Sequence, residues 1–108
     1  MTRIGTFEFA EPLWQYPGTG GWYFVSLPAE ISSDITDLTA GSRRGFGSVR
    51  VAVTVGATSW RTSIFPDSKT GAYLLPVKKA VRLAEHLEAG DDVRTQLNLR
   101  RTPEPRSY

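Results

Sequence analysis

The chain has no cysteine, one histidine and one methionine among its 108 residues. Without cysteine there is no disulfide framework, no thiolate metal site and no cysteine nucleophile. One histidine among scattered carboxylates supplies no metal-ligand set. Long apolar runs are missing as well. The longest resemble Trp22 to Val25, against the roughly 20 residues that a membrane-spanning helix needs. The N-terminus lacks the basic-then-apolar pattern of a secretory leader. A cytoplasmic location, away from membranes, is therefore expected. An excess of one charge is also lacking: 13 basic and 11 acidic residues leave a formal net charge of +2. That is too little to imply nucleic acid by itself.

What is present fits an ordinary globular domain, with 40% hydrophobic and 22% charged residues. Residues 1–101 are expected to form one domain, followed by a loose tail at 102–108 that carries two prolines and no apolar pattern. Charge is unevenly spread. Acidic residues dominate Glu30 to Asp37, whereas Arg43, Arg44, Arg50 and Arg61 follow with no acidic residue among them.

Alternation marks Arg3 to Phe9 as a short strand. Tyr16 to Gly21 is a loop, because proline fixes one dihedral and the glycines permit unusual ones. Trp22 to Leu27, aromatic and β-branched, predicts a strand that Pro28 stops. Ile31, Ile35 and Leu38 then give an amphipathic helix over Glu30 to Leu38. Val49, Val51, Val53 and Val55 alternate with polar or small residues, the clearest period of two in the chain. Gly56-Ala57 suits a two-residue turn with glycine at the position needing positive φ, and Thr58 to Phe65 returns as the partner strand. After a loop at Pro66 to Gly71, Ala72 to Leu75 forms a strand. Pro76 should start a helix bearing Val77, Ala80, Val81, Ala84 and Leu87 on one face, ended by Gly90. Val93 to Leu99 closes the fold as a strand.

Two stretches share one grammar. Phe24-Val25-Ser26-Leu27-Pro28 and Tyr73-Leu74-Leu75-Pro76 each run from a strand through Leu-Pro into a helix and on to a valine-bearing strand. The pattern suggests two β-α-β halves related by a pseudo-twofold axis, although two copies alone are thin support for a repeat.

The run Val51 to Pro66 is distinctive in its order Val-Ala-Val-Thr-Val-Gly-Ala-Thr-Ser-Trp-Arg-Thr-Ser-Ile-Phe-Pro. Together with Trp22 to Pro28, Arg43-Arg44-Gly45-Phe46-Gly47 and Gly71 to Arg82, it resembles domain-of-unknown-function family nineteen-oh-five, a bacterial group, over about residues 5 to 99. The resemblance implies a small split β-barrel, similar in style to the AbrB and MazE swapped-hairpin proteins. It implies no established activity and no catalytic residues. Some relatives carry a further segment like that of the YdeI group, linked to bacteriocin protection, for which this chain is expected to have no room.

Several residues offer chemistry. Arg61 has a fork that suits two oxygens of an anionic ligand, or it is a solvated strand residue. Trp22 and Trp60 can line a pocket or stack a base, although in a small barrel such residues more often fill the core. Lys78, Lys79 and Arg82 lie near a helix start, where a bound anion would relieve their opposition to the macrodipole. His86 falls in the helical row of Lys78 and Arg82, and no orienting partner for a general base is placed by sequence. Gly18-Thr19-Gly20-Gly21 precedes a strand where a phosphate loop would precede a helix, so it reads as a connector. Asp67 to Gly71 lacks the carboxylates of a calcium loop and reads as a turn.

The expectation is thus a mainly β fold, a small split barrel of about six or seven strands with two short helices. It is read as a non-catalytic binding module, not an enzyme, with no metal and no cofactor. A small anionic ligand would meet Trp22, Trp60, Arg61, Lys78 and Lys79. The alternative is an AbrB-like nucleic-acid-binding regulator using Arg43, Arg44 and Arg50.

Overall fold

Val49, Val51, Val53 and Val55 all turn inward and are buried, while Arg50 between them is exposed. Each fully buried valine contributes about 1.5–3 kcal/mol of transfer free energy, so this register is strongly held. A slip by one residue would bury Arg50 and expose all four.

The structure, a computed structural model, describes residues 5–40 and 47–99. Arg43, Arg44 and the expected tail at 102–108 lie outside the described residues. The described strands are β1 (Thr6–Gln15), β2 (Tyr23–Ser26), β3 (Val49–Val55), β4 (Thr58–Pro66), β5 (Tyr73–Pro76) and β6 (Asp92–Leu99). The helices are α1 (Ala29–Leu38) and α2 (Lys79–Ala84). The strands close into a barrel in the order β1-β2-β5-β4-β3-β6, with every neighbouring pair antiparallel. The mainly β barrel with two short helices is the expected architecture.

β1 and β4 are the corners. β1 pairs with β6 from Thr6 to Pro12 and with β2 from Leu13 to Gln15. β4 pairs with β3 from Thr58 to Ile64 and with β5 only at Phe65 and Pro66. β1 is longer than the alternation at Arg3 to Phe9 suggested. Pro12 masked its continuation, but here the proline sits where the strand changes partner, so its missing N–H interrupts no ladder.

The two halves of the chain occupy equivalent places. Leu27 N–H donates to Tyr73 O and Val77 N–H to Tyr23 O, both at 2.9 Å, on either side of the Val25–Leu75 pair. The equivalence matches Tyr23 with Tyr73, Leu27 with Val77 and the helix starts Ala29 with Lys79. It does not match the two Leu-Pro steps. Pro76 is a β5 residue paired with Phe24 and starts no helix, because the ladder continues through Val77. Only Pro28 sits at a helix N-cap.

Inside the barrel, Phe9, Leu13, Val25, Ile64, Tyr73, Leu75, Val93 and Leu97 join the valines in one core. Ile35 of α1 and Val81 of α2 plug it. Six residues are too few for an independent helix, so packing by Val77 and Val81 holds α2 in place.

α2 also ends earlier than the apolar stripe to Leu87 implied. His86 has φ 55°, Leu87 N–H donates to Arg82 O at 2.9 Å, and His86 N–H to Leu83 O at 3.4 Å. This is the reciprocal pair of a Schellman stop, with histidine where glycine is usual. His86 therefore leaves the row of Lys78 and Arg82 and stands exposed. His86→Gly should raise unfolding stability by about 0.5–1 kcal/mol, read by urea denaturation, because glycine carries no Cβ penalty in this region. Unchanged or lower stability would contradict that strain.

Candidate functional site

Because β5 pairs with β4 only at Phe65 and Pro66, the edge of β4 from Ser59 to Ser63 faces no β5 strand. The chain leaving β5 and the start of α2 lie across this split. A cavity of about 660 Å³ opens there. Trp60, Arg61 and Thr62 of β4 border it on one side, and Pro76, Val77, Lys78, Lys79 and Arg82 on another. Gln15 at the end of β1, Gly20, Gly21 and Trp22 of the next loop, and Tyr23 complete its wall. A cavity at a barrel edge touches consecutive strand residues, which is why neighbours that alternate between faces all reach it.

All five proposed ligand residues, Trp22, Trp60, Arg61, Lys78 and Lys79, border this one cavity. Trp60 is half-buried, lies opposite Val53 and packs against the core. Trp22 is 57% exposed, so it is not the core residue that barrel statistics favour. It precedes β2 on the glycine-rich loop, and its ring stacks on Phe24 with centroids 6.1 Å apart and planes at 9°. Phe24 is braced in turn by Trp14 at 5.4 Å, whose indole N–H donates to Ser26 Oγ at 3.0 Å. Trp22 is thus a supported wall.

The glycine-rich loop has a site role that sequence did not suggest. Tyr16 N–H donates to Trp22 O at 2.8 Å, closing the loop. Gly20 has φ 108°, and a Cβ there would press on the Trp22 ring at 3.1 Å. Only glycine lets the loop pass beside that indole.

Charge at the cavity is one-sided. Arg61, Lys78, Lys79 and Arg82 border it, and no aspartate or glutamate does among the described residues. Arg61, Lys78 and Lys79 are exposed. Arg82 is half-buried and fixed: its guanidinium carbon lies 3.8 Å from the centre of the Tyr23 ring, and its Nε–H donates to Val77 O at 3.2 Å. Tyr23 and Arg82 were not among the five proposed residues. Arg82 carried only a weak signal as a charge beside the lysines. Tyr23 stood out only as part of the aromatic strand Trp22 to Leu27, since its contact with Arg82 depends on barrel closure.

Arg50, the described member of the nucleic-acid set, lies on β3 opposite Ser63 and outside the cavity wall. Asp67 organises the β4–β5 loop, accepting Lys69 N–H at 3.0 Å and the Thr70 hydroxyl at 3.2 Å, as a turn would. Among the described residues no group of His, Asp and Glu is placed to hold a metal. None of their helices is long and apolar enough to cross a membrane.

Comparison with curated proteins finds none that matches. The family model described as Domain of unknown function (DUF1905) matches residues 9–97, a span holding every strand of the barrel at least in part and the whole cavity wall. The chain belongs to this family.

Proposed function

We propose that the protein is a non-catalytic binding module for a small organic anion with a flat apolar portion, held in the cavity beside α2. The observation that carries this reading is the wall itself: among the described residues it holds four cations, three aromatic rings from Trp22, Tyr23 and Trp60, and no carboxylate. A recess lined by one sign of charge concentrates oppositely charged solutes. Its volume suits a small molecule, for which sites of about 300–1,000 Å³ are usual. The aromatic faces supply area for a planar group. The binding-only reading rests on the wall's chemistry: among the described residues, neither imidazole nor carboxylate borders the cavity to move a proton. A bacterial cytoplasmic setting is part of the same proposal.

Calorimetric titration with 1-naphthyl phosphate, 1-naphthoate and 1-naphthol tests it. Both anions should bind at least about tenfold more tightly than the neutral alcohol, with affinity falling as salt rises. Equal binding of all three, or binding of none, would overturn the proposal.

A further inference from the structure

We propose that Arg82 is the residue that selects the ligand's charged end, with Tyr23 as its positioning residue. That end is an oxyanion presenting two oxygens side by side, as a terminal phosphate or a carboxylate does. This rests on the binding reading above and sharpens it.

The equivalence of the two halves shows that the barrel itself does not require an arginine at this place. Ser32 of α1 stands where Arg82 stands in α2. There the Ser32 hydroxyl accepts Tyr73 N–H at 3.0 Å, and Tyr73 is buried to 1% exposure. A short side chain lets α1 seal its side of the barrel. On the other side, a long cation takes the equivalent place beside an open cavity, and Tyr23 stays half-exposed beneath it.

Arg82 differs from the other cations in being held. The Tyr23 ring supports one face of the guanidinium, and Val77 O takes its Nε–H. Five N–H donors belong to a guanidinium. The four on the terminal nitrogens have no partner among the described residues. A fork whose plane is already set loses little freedom when it engages two oxygens. Lys78, Lys79 and Arg61 are exposed and add field rather than geometry.

The test uses the same three naphthalene probes on substituted full-length chains. Arg82→Lys keeps the charge and removes the fork. Both anions should bind about tenfold more weakly, and 1-naphthol should be unchanged. Tyr23→Leu removes the platform and should weaken the anions several-fold, while Tyr23→Phe should restore them, because the ring carries the support. Lys79→Ala should cost less than about threefold, and that difference should vanish at high salt. Unfolding temperatures within a few degrees of the parent certify each variant. Anion affinity within twofold of the parent in folded Arg82→Lys would overturn the assignment and leave the binding site standing. Failure of either anion to bind the parent chain would remove both. A loss in Tyr23→Leu that Tyr23→Phe did not restore would overturn the role of Tyr23.

Discussion

Leu75→Ala should lower folding stability by about 2–5 kcal/mol, out of a total of about 5–15 kcal/mol for a domain of this kind. Leu75 is fully buried and pairs with Val25, also fully buried, between the Leu27–Tyr73 and Val77–Tyr23 hydrogen bonds. β2 and β5 have four residues each, the shortest strands of the barrel. With so few ladder bonds, their junction depends on the side chains inside it. Truncation removes methyl groups from a site whose walls are strands on both sides and cannot collapse freely. Urea denaturation should show a lower midpoint at unchanged slope. Leu83→Ala is the internal comparison: Leu83 is 65% exposed on α2, and its loss should fall within about 0.5 kcal/mol. Similar costs for the two would contradict the placement of Leu75 at the centre of the core.

The β3–β4 turn supplies the second large effect. Gly56 has φ 59°, and the Glu85 carboxylate lies so close that an added Cβ would overlap it. That carboxylate accepts the Thr58 hydroxyl at 2.6 Å and Ala57 N–H at 3.3 Å. It thereby ties the end of α2 to the hairpin. Gly56→Ala should cost about 2–4 kcal/mol, combining roughly 1–2 for a left-handed alanine with the broken tie. In a Glu85→Ala background the overlap is gone, so the same substitution should cost only about 1–2 kcal/mol. Chemical denaturation of the four chains closes the cycle. Additive costs would show that Glu85 and the turn are uncoupled.

Sequence made legible those parts whose signal is local. The valines of β3 declared a strand by period, Gly56 a turn by the φ it needs, and α1 a helix by spacing. The extension of β1 through Pro12 stayed hidden because proline argues against a strand unless the partner is known to change there. The end of α2 was obscured for a similar reason. Leu87 continues the apolar spacing, but the helix has already stopped with His86 in a left-handed conformation. The repeat was visible, though its register was set by the ladder around Val25 and Leu75 and not by the Leu-Pro steps.

The site divides along the same line. Trp60, Arg61, Lys78 and Lys79 stood out as charges and rings without an evident structural task, and Trp22 as an aromatic beside a glycine loop. Nothing local says that they share a cavity, since they meet only across the split between β4 and α2. Arg82 becomes distinct from the lysines only through Tyr23, which the chain supplies from its other half.

The barrel wall between β1 and β3 is β6, whose pairs run from Thr6–Asn98 to Pro12–Asp92 on one side and from Val51–Leu99 to Val55–Thr95 on the other. A nascent chain lacking this segment can join β1 to the β3–β4 hairpin through β2 and β5, but the facing edges of β1 and β3 stay apart. Barrel closure must therefore wait until residues 92–99 leave the ribosome. Until then the inward valines and Phe9 remain open to water and to other chains, the condition in which β-rich intermediates are most prone to aggregate. Loop closure between distant segments also slows this step, as high contact order does in barrels generally. The valine strand that holds the finished core is thus, during synthesis, the part most in need of shelter.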